Sequence, residues 1–219
     1  MIGNSWLSWI IFAADAAATV AFAVSGLLEA ARKRLDPVGV CIVAGLAAFG
    51  GGTLRDILLD RRPFFWVKHS EWLWVLLALC IVAMAWLKVR HVALTHRAMQ
   101  WPDALGLGLF SASGTAIALD QQLPAIVAVL MGVITAAFGG VLRDVVCNEV
   151  PSAFKDHRPY AVCAFAGGWA VVACEALALS ASTGLLVGAG VAFGLRAAAI
   201  VLDYELPGWT SAQDPDSWR

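Results

Sequence analysis

The residues able to do chemistry in this chain are charges and glycines embedded in apolar sequence, and they occur in two similar runs. One reads Phe49-Gly50-Gly51-Gly52-Thr53-Leu54-Arg55-Asp56, the other Phe138-Gly139-Gly140-Val141-Leu142-Arg143-Asp144. Consecutive glycines weaken a helix by up to about 1 kcal/mol each relative to alanine. In a membrane, a turn loosened there would free carbonyls that must be satisfied internally or by water in a cavity, and such carbonyls can replace part of a cation's hydration shell. Gly50, Gly51, Gly52, Thr53, Phe138, Gly139 and Gly140 are therefore expected at kinks that line a pore. The competing reading is that the glycines only let neighbouring helices approach closely.

Arg55, Asp56, Arg143 and Asp144 follow the glycines directly. Ionisable side chains inside a span cost about 2.5–3.5 kcal/mol apiece on insertion scales, so they face a cavity or one another. Asp15 and Asp103 are further acids in apolar surroundings, and their placement predicts an Asp15–Arg55 contact at one mouth of a pathway and an Asp103–Arg143 contact at the other. A bare arginine would repel a cation, whereas a paired one serves as a latch. Alternatively, these charges snorkel to the interface from the last turns of their helices. Ser25, Ser113 and Thr53 are candidate hydroxyls along the route, although small polar residues in membrane helices also bond to the preceding turn or pack at helix contacts.

The elements that must hold these groups are membrane spans. Of 219 residues 60% are hydrophobic and 14% charged, with a mean hydropathy of +0.76, against roughly 45–50% apolar and about 25% charged in soluble domains. Seven stretches reach the roughly 20 residues that cross a bilayer core, at 7–30, 38–59, 71–88, 102–119, 124–147, 159–180 and 183–203. The expected fold is thus an all-α integral membrane protein, one transmembrane domain over 1–204 followed by a tail over 205–219. Loops after the odd-numbered spans hold Arg32, Lys33, Arg34, Lys88, Arg90, Arg97, Lys155 and Arg158, while those after the even-numbered spans hold only Arg61, Arg62 and Lys68. Basic loops stay cytoplasmic, which puts the N-terminus outside and the tail in the cytoplasm. Tryptophans such as Trp6, Trp9, Trp66, Trp72, Trp74 and Trp101 near the span ends suit an interfacial belt.

Sliding the chain against itself by 88 residues aligns Asp15 with Asp103, Phe22 with Phe110, Ser25 with Ser113, Gly51 with Gly139, Arg55 with Arg143, Asp56 with Asp144, Pro63 with Pro151 and His69 with His157. Each copy holds three spans, an odd number, so the second is expected upside down relative to the first: repeat 1 over 7–90, repeat 2 over 95–180, and an added seventh helix over 183–204. Inverted repeats of this kind mark transporters and channels, with the permeation site between the halves. Cys41, Cys80, Cys147, Cys163 and Cys174 have no metal-ligand spacing, His69 and His157 stand without a ligand array, and no nucleotide loop or nucleophile motif is present. A net charge of -1 gives no reason to expect nucleic acid. No cofactor, metal or enzymatic activity is expected. Glu29, Glu175 and Arg196 lie in apolar context and could face either an aqueous path or the interface.

Asp15, Phe22-Ala23-Val24-Ser25-Gly26, Asp36-Pro37-Val38-Gly39, Gly50 to Leu59 and Pro63, with the second copy from Asp103 through Gly114 to Asp144 and Pro151, resemble the prokaryotic TRIC family of trimeric intracellular cation channels over about residues 10–204. The resemblance implies seven membrane helices, a homotrimer in the cell inner membrane surrounded by lipid, and a pore in each subunit flanked by kinked helices 2 and 5. It also implies passive permeation of monovalent cations, K+ or Na+ and K+ above all. Bacterial members of the same sequence group have been classed as glycine transporters, so a carrier for a small amino acid is the alternative.

Overall fold

A computed structural model of the chain describes residues 5–90, 96–155 and 159–205. The expected tail beyond residue 205, and His157 and Arg158 of the expected basic loop, lie outside the described residues. Among the described residues there are nine helices and no strand: α1 (Ser5–Arg32), α2 (Pro37–Leu58), α3 (Phe65–Lys68), α4 (Glu71–Arg90), α5 (His96–Asp120), α6 (Ala125–Val146), α7 (Ser152–Lys155), α8 (Ala161–Ala176) and α9 (Ala181–Val201). The seven long ones stand where the hydropathy placed spans, and α3 and α7 are single turns within two of the expected loops. Four are long and apolar enough to cross a membrane, Ser8–Arg32, Pro37–Leu58, Ala125–Val146 and Ala181–Val201, while Glu71–Trp86 and Ala161–Ala176 are shorter apolar helices. α5 departs most from expectation. It starts at His96 rather than near 102, holds Pro102 inside the helix, and carries Asp103, Ser111, Ser113 and Thr115, all buried, because α1, α6, α8 and α9 pack around it.

The helix ends have local causes. The Asp36 carboxylate accepts from Gly39 N–H at 2.7 Å with Pro37 in the first turn of α2, satisfying donors that a helix start leaves free. Ser180 caps α9 in the same way, accepting from Thr183 N–H at 3.2 Å. At the other ends the chain turns through left-handed residues, and these recur at the 88-residue spacing, Arg34 with Gln122 and Asp60 with Asn148. Each closes with the same long bond, Leu35 N–H to Ala30 O and Leu123 N–H to Ala118 O, Arg61 N–H to Asp56 O and Glu149 N–H to Asp144 O, the arrangement that satisfies orphan carbonyls at a helix C-terminus.

Packing follows the same register. Phe22 of α1 stacks on Phe110 of α5, ring centroids 5.5 Å apart, and on either side of this pair Ser113 bonds Asp15 while Ser25 bonds Asp103. α1 and α5 therefore run antiparallel, and the contacts exchange when each residue is replaced by its partner 88 positions away. α2 and α6 cross antiparallel too, and here the structure corrects an expectation. Both helices run uninterrupted through their glycine motifs, with no unwound turn. A Cβ on Gly51 would run into the Thr135 carbonyl of α6, and one on Gly139 into the Ala47 carbonyl of α2. Gly51 and Gly139 thus let two backbones touch, the close-approach role of small residues in membrane helices. Large apolar side chains remain on the outside, Leu186 and Leu202 being 74% and 75% exposed, as lipid-facing surfaces require.

Candidate functional site

Two buried charge clusters occupy opposite ends of the bundle. At the first, Arg55 of α2 donates from Nη1 to Asp15 of α1 at 3.2 Å and from Nε to the adjacent Asp56 at 3.0 Å. Ser113 of α5 donates to the same Asp15 at 2.6 Å, and Arg61 approaches Asp56 at 3.6 Å. At the second, Arg143 of α6 donates from Nη1 to Asp103 of α5 and to the hydroxyl of Ser25 of α1, both at 2.5 Å, and from Nε to Asp144 at 2.7 Å. Ser152, opening α7, caps Asp144 through its N–H and hydroxyl at 2.8 and 2.9 Å. Asp15, Arg55, Asp56, Asp103, Arg143 and Asp144 are all buried, whereas Arg61 is exposed, so each of the six buried charges depends on its partners: breaking a buried pair by deleting one member costs about 3–5 kcal/mol.

The arginine side chains lie over the glycine motifs. Neighbouring helical residues point about 100° apart, so the Arg side chain must fold back to reach its adjacent Asp with Nε while Nη1 reaches across to the next helix. The space it folds into lies over a glycine three residues earlier. A Cβ on Gly52 would stand 3.8 Å from Arg55 Nη2, and one on Gly140 would stand 3.5 Å from Arg143 Nη2. Gly50, Thr53 and Phe138 turn elsewhere. They line an apolar groove with Leu46, Leu54 and Trp66, and the Thr53 hydroxyl accepts from Trp66 Nε1 at 3.1 Å. Of these seven residues, Gly51 and Gly139 sit at the helix crossing, Gly52 and Gly140 lie beneath arginines, and Gly50, Thr53 and Phe138 line the groove, with Gly50 also against Leu142 at the crossing and Thr53 also beside Asp15 and Arg55.

The described surroundings of the two clusters differ. Beside Arg55 lies a cavity of about 490 Å³ whose walls include Asp15, Asp56, Asp60, Arg61, Asp120 and Gln121. At the Arg143 end, Lys33 is ion-paired with Glu149, Arg32 holds Glu29 at 2.6 Å and approaches Glu149 at 3.9 Å. Glu149, Ser152 and Tyr160 were not singled out as site residues, because each looks ordinary in a loop or at a helix start and gains meaning only from what folds against it. His69 contacts Glu71 and the Phe12 ring, and among the described residues no group of His, Cys, Asp and Glu could hold a metal.

A helical bundle that turns apolar faces outward and seals ion clusters within is an integral membrane protein. It has the TRIC channel fold: it is similar to the TRIC trimeric intracellular cation channel orthologue from Rhodobacter sphaeroides, with a TM-score of 0.82 and 33% identity over 89% of this chain and 99% of that one. The chain belongs to the family described as glycine transporter, whose model matches it twice, over residues 12–88 and 100–176. The two matches begin at positions 88 residues apart, the register read from the sequence. Relatives include a UPF0126 membrane protein of Vibrio cholerae, 37% identical over 90% of this chain and 82% of that protein. The UPF0126 inner membrane protein YadS of Escherichia coli K12 is 33% identical over 90% of this chain and 95% of its own length.

Proposed function

We propose that the chain is a passive channel for monovalent cations, K+ above all with Na+ also permeant, built as a homotrimer with one pathway in each subunit. Seven helices cross the inner membrane in this reading: α1, α2 and α4 form one repeat, α5, α6 and α8 its inverted copy, and α9 the seventh span, with the N-terminus outside and the C-terminus in the cytoplasm. The observation that carries the reading is the pair of exchange-related clusters, Asp15–Arg55–Asp56 and Asp103–Arg143–Asp144. At the Arg55 end Arg61, 3.6 Å from Asp56, adds a second guanidinium to the set, while the Arg143 cluster sets two carboxylates against one guanidinium, a formal excess of one negative charge. Charged rings of this sign favour cations. The wide cavity beside Arg55 does not by itself choose a sign, since Asp15, Asp56, Asp60 and Asp120 face Arg55, Arg61, Arg62 and Lys68 across it.

Similarity to a protein described as a trimeric cation channel supports both the transport class and the trimer, and the name of YadS supports the inner membrane. Conduction requires the tight α2–α6 crossing at Gly51 and Gly139 to part, because the carbonyl contacts there leave no room for an ion. Reconstituted protein in a K+ gradient should give discrete unitary currents, selective for K+ over chloride. Silence in that assay together with saturable uptake of glycine would overturn the channel reading.

That outcome defines the second reading, a carrier for a small zwitterionic amino acid. It is favoured by one geometric fact besides the family description: one end of the bundle opens to a cavity while the other is tied by Lys33 and Glu149. An occluded route open on one side is how an alternating-access carrier looks between turnovers.

A further inference from the structure

Tyr160 and Arg196 are buried polar residues that the paired clusters do not explain. Tyr160, at the start of α8, is 3% exposed, and its hydroxyl makes no hydrogen bond of full geometry. It stands over Gly140: a Cβ placed on that glycine would lie 3.3 Å from Tyr160 Oη, 3.5 Å from Arg143 Nη2 and 3.6 Å from Asp103 Oδ1. Arg143 Nη2 is itself buried and unpartnered, whereas Arg55 leaves no such nitrogen. Arg196 of α9 is 2% exposed, and among the described residues no carboxylate pairs with it. Its guanidinium instead lies over the Tyr160 ring, 4.9 Å from the centroid, with Nη1 3.4 Å from the Pro159 carbonyl. A desolvated cation over an aromatic face is held by the ring's quadrupole, so Arg196 fixes where the Tyr160 ring sits.

Among the described residues the other end has no such device. In the 88-residue register Tyr160 corresponds to Trp72, which packs on Phe12 and Phe65, and α9 has no counterpart at all. The space beside Arg55 is an open cavity. We propose that the Tyr160 ring is the plug of the Arg143 end and that Arg196 is the positioning residue that holds it there, so that α9 governs one end of the pathway and not the other. The proposal rests on reading the Arg143 cluster as an end of the pathway, and is indifferent to whether that pathway conducts ions or carries a zwitterion.

The test is solvent access, which does not depend on transport. In protein whose five native cysteines are replaced by alanine, Ser25→Cys reports on the Arg143 end and Ser113→Cys on the Arg55 end. A membrane-impermeant thiol reagent is applied to either side of sealed vesicles. Arg196→Gln and Tyr160→Ala are each expected to raise the modification rate of Ser25→Cys at least tenfold from the Arg143 side, with that of Ser113→Cys changed less than twofold. Arg196→Lys, which keeps a cation over the ring, should fall between. Equal acceleration of both reporters would mean general loosening and would overturn the proposal, as would no acceleration of Ser25→Cys. Should those variants fail to assemble, Tyr160→Phe decides: the ring alone should keep Ser25→Cys slow, and a tenfold rise would assign closure to the hydroxyl and sink the idea of a ring plug. Loss of currents with the access pattern intact would count against the channel reading alone.

Discussion

The Arg55 and Arg143 ends of this molecule are made from the same residues in the same register, yet the described residues around them differ. Both place a guanidinium between two carboxylates with a serine from the opposite repeat completing the set. Around the first is a cavity of about 490 Å³; around the second are Ser152, Tyr160 and the Lys33–Glu149 pair. The shared part is what a charge buried in lipid demands, and the unshared part is peripheral.

Deleting an arginine should give the largest effect and break the equivalence of the two ends. Arg143→Ala strands Asp103 and Asp144 in a site where Arg143 is 0% exposed, at a cost of about 3–5 kcal/mol. Arg55→Ala should cost less, because the adjoining cavity lets water reach Asp15 and Asp56. Melting of the two variants in the same detergent should rank Arg143→Ala well below Arg55→Ala. The reverse order would mean that the cavity does not wet the first cluster.

Next in size are the glycines at the helix crossing, where the two halves should behave alike. Gly51→Ala and Gly139→Ala each push a methyl group into a backbone carbonyl of the opposite helix, an overpacking worth about 1–3 kcal/mol. Gly190 and Gly194 of α9 have nothing within 4 Å of an added Cβ. Gly190→Ala should therefore be neutral or stabilise by up to about 1 kcal/mol through helix propensity. Thermal melting of the three variants checks both statements, and a stable Gly139→Ala protein would show that the crossing has slack.

These examples also show what was legible beforehand. Long apolar runs, the duplication and the pairing of Asp15 with Arg55 follow from hydropathy and from the cost of lone charges, which are local or pairwise properties. The fate of the glycines was not legible in this way. A Gly-Gly run is equally consistent with a broken turn and with a close crossing, and only the antiparallel placement of Thr135 opposite Gly51 and of Ala47 opposite Gly139 decides between them. Glu149 escaped notice for a related reason. Its value comes from Lys33, a residue 116 positions away, and sequence alone supplied no reason to join the two.

Charge selectivity should respond more modestly. Asp103→Asn reduces its cluster from a formal excess of one negative charge to neutrality, Asp15→Asn leaves Asp56 alone against Arg55 and Arg61, and in a vesicle flux assay each should lower the preference for K+ over chloride severalfold. The Asp103→Asn effect should be the larger, because the acids and bases lining the cavity at the other end dilute the contribution of Asp15. Equal effects would place the selective step midway between the clusters.

The smallest expected effect concerns the outer ring of charges, and it can be transplanted. In the repeat register Lys33 corresponds to Gln121 and Glu149 to Arg61, so the ion pair that ties the Arg143 end has no counterpart at the Arg55 end. Partly exposed pairs contribute about 0–1 kcal/mol and are screened by salt. Glu149→Gln should hardly change melting, but should raise flux modestly by freeing Lys33. The double variant Gln121→Lys with Arg61→Glu writes the missing pair into the wall of the cavity in place of the Arg61–Asp56 contact, and should lower flux at low ionic strength and recover it as salt screens the new pair. A salt-independent loss would instead point to the side chains' bulk. That outcome would leave Tyr160, held by Arg196, as the main difference between the two ends.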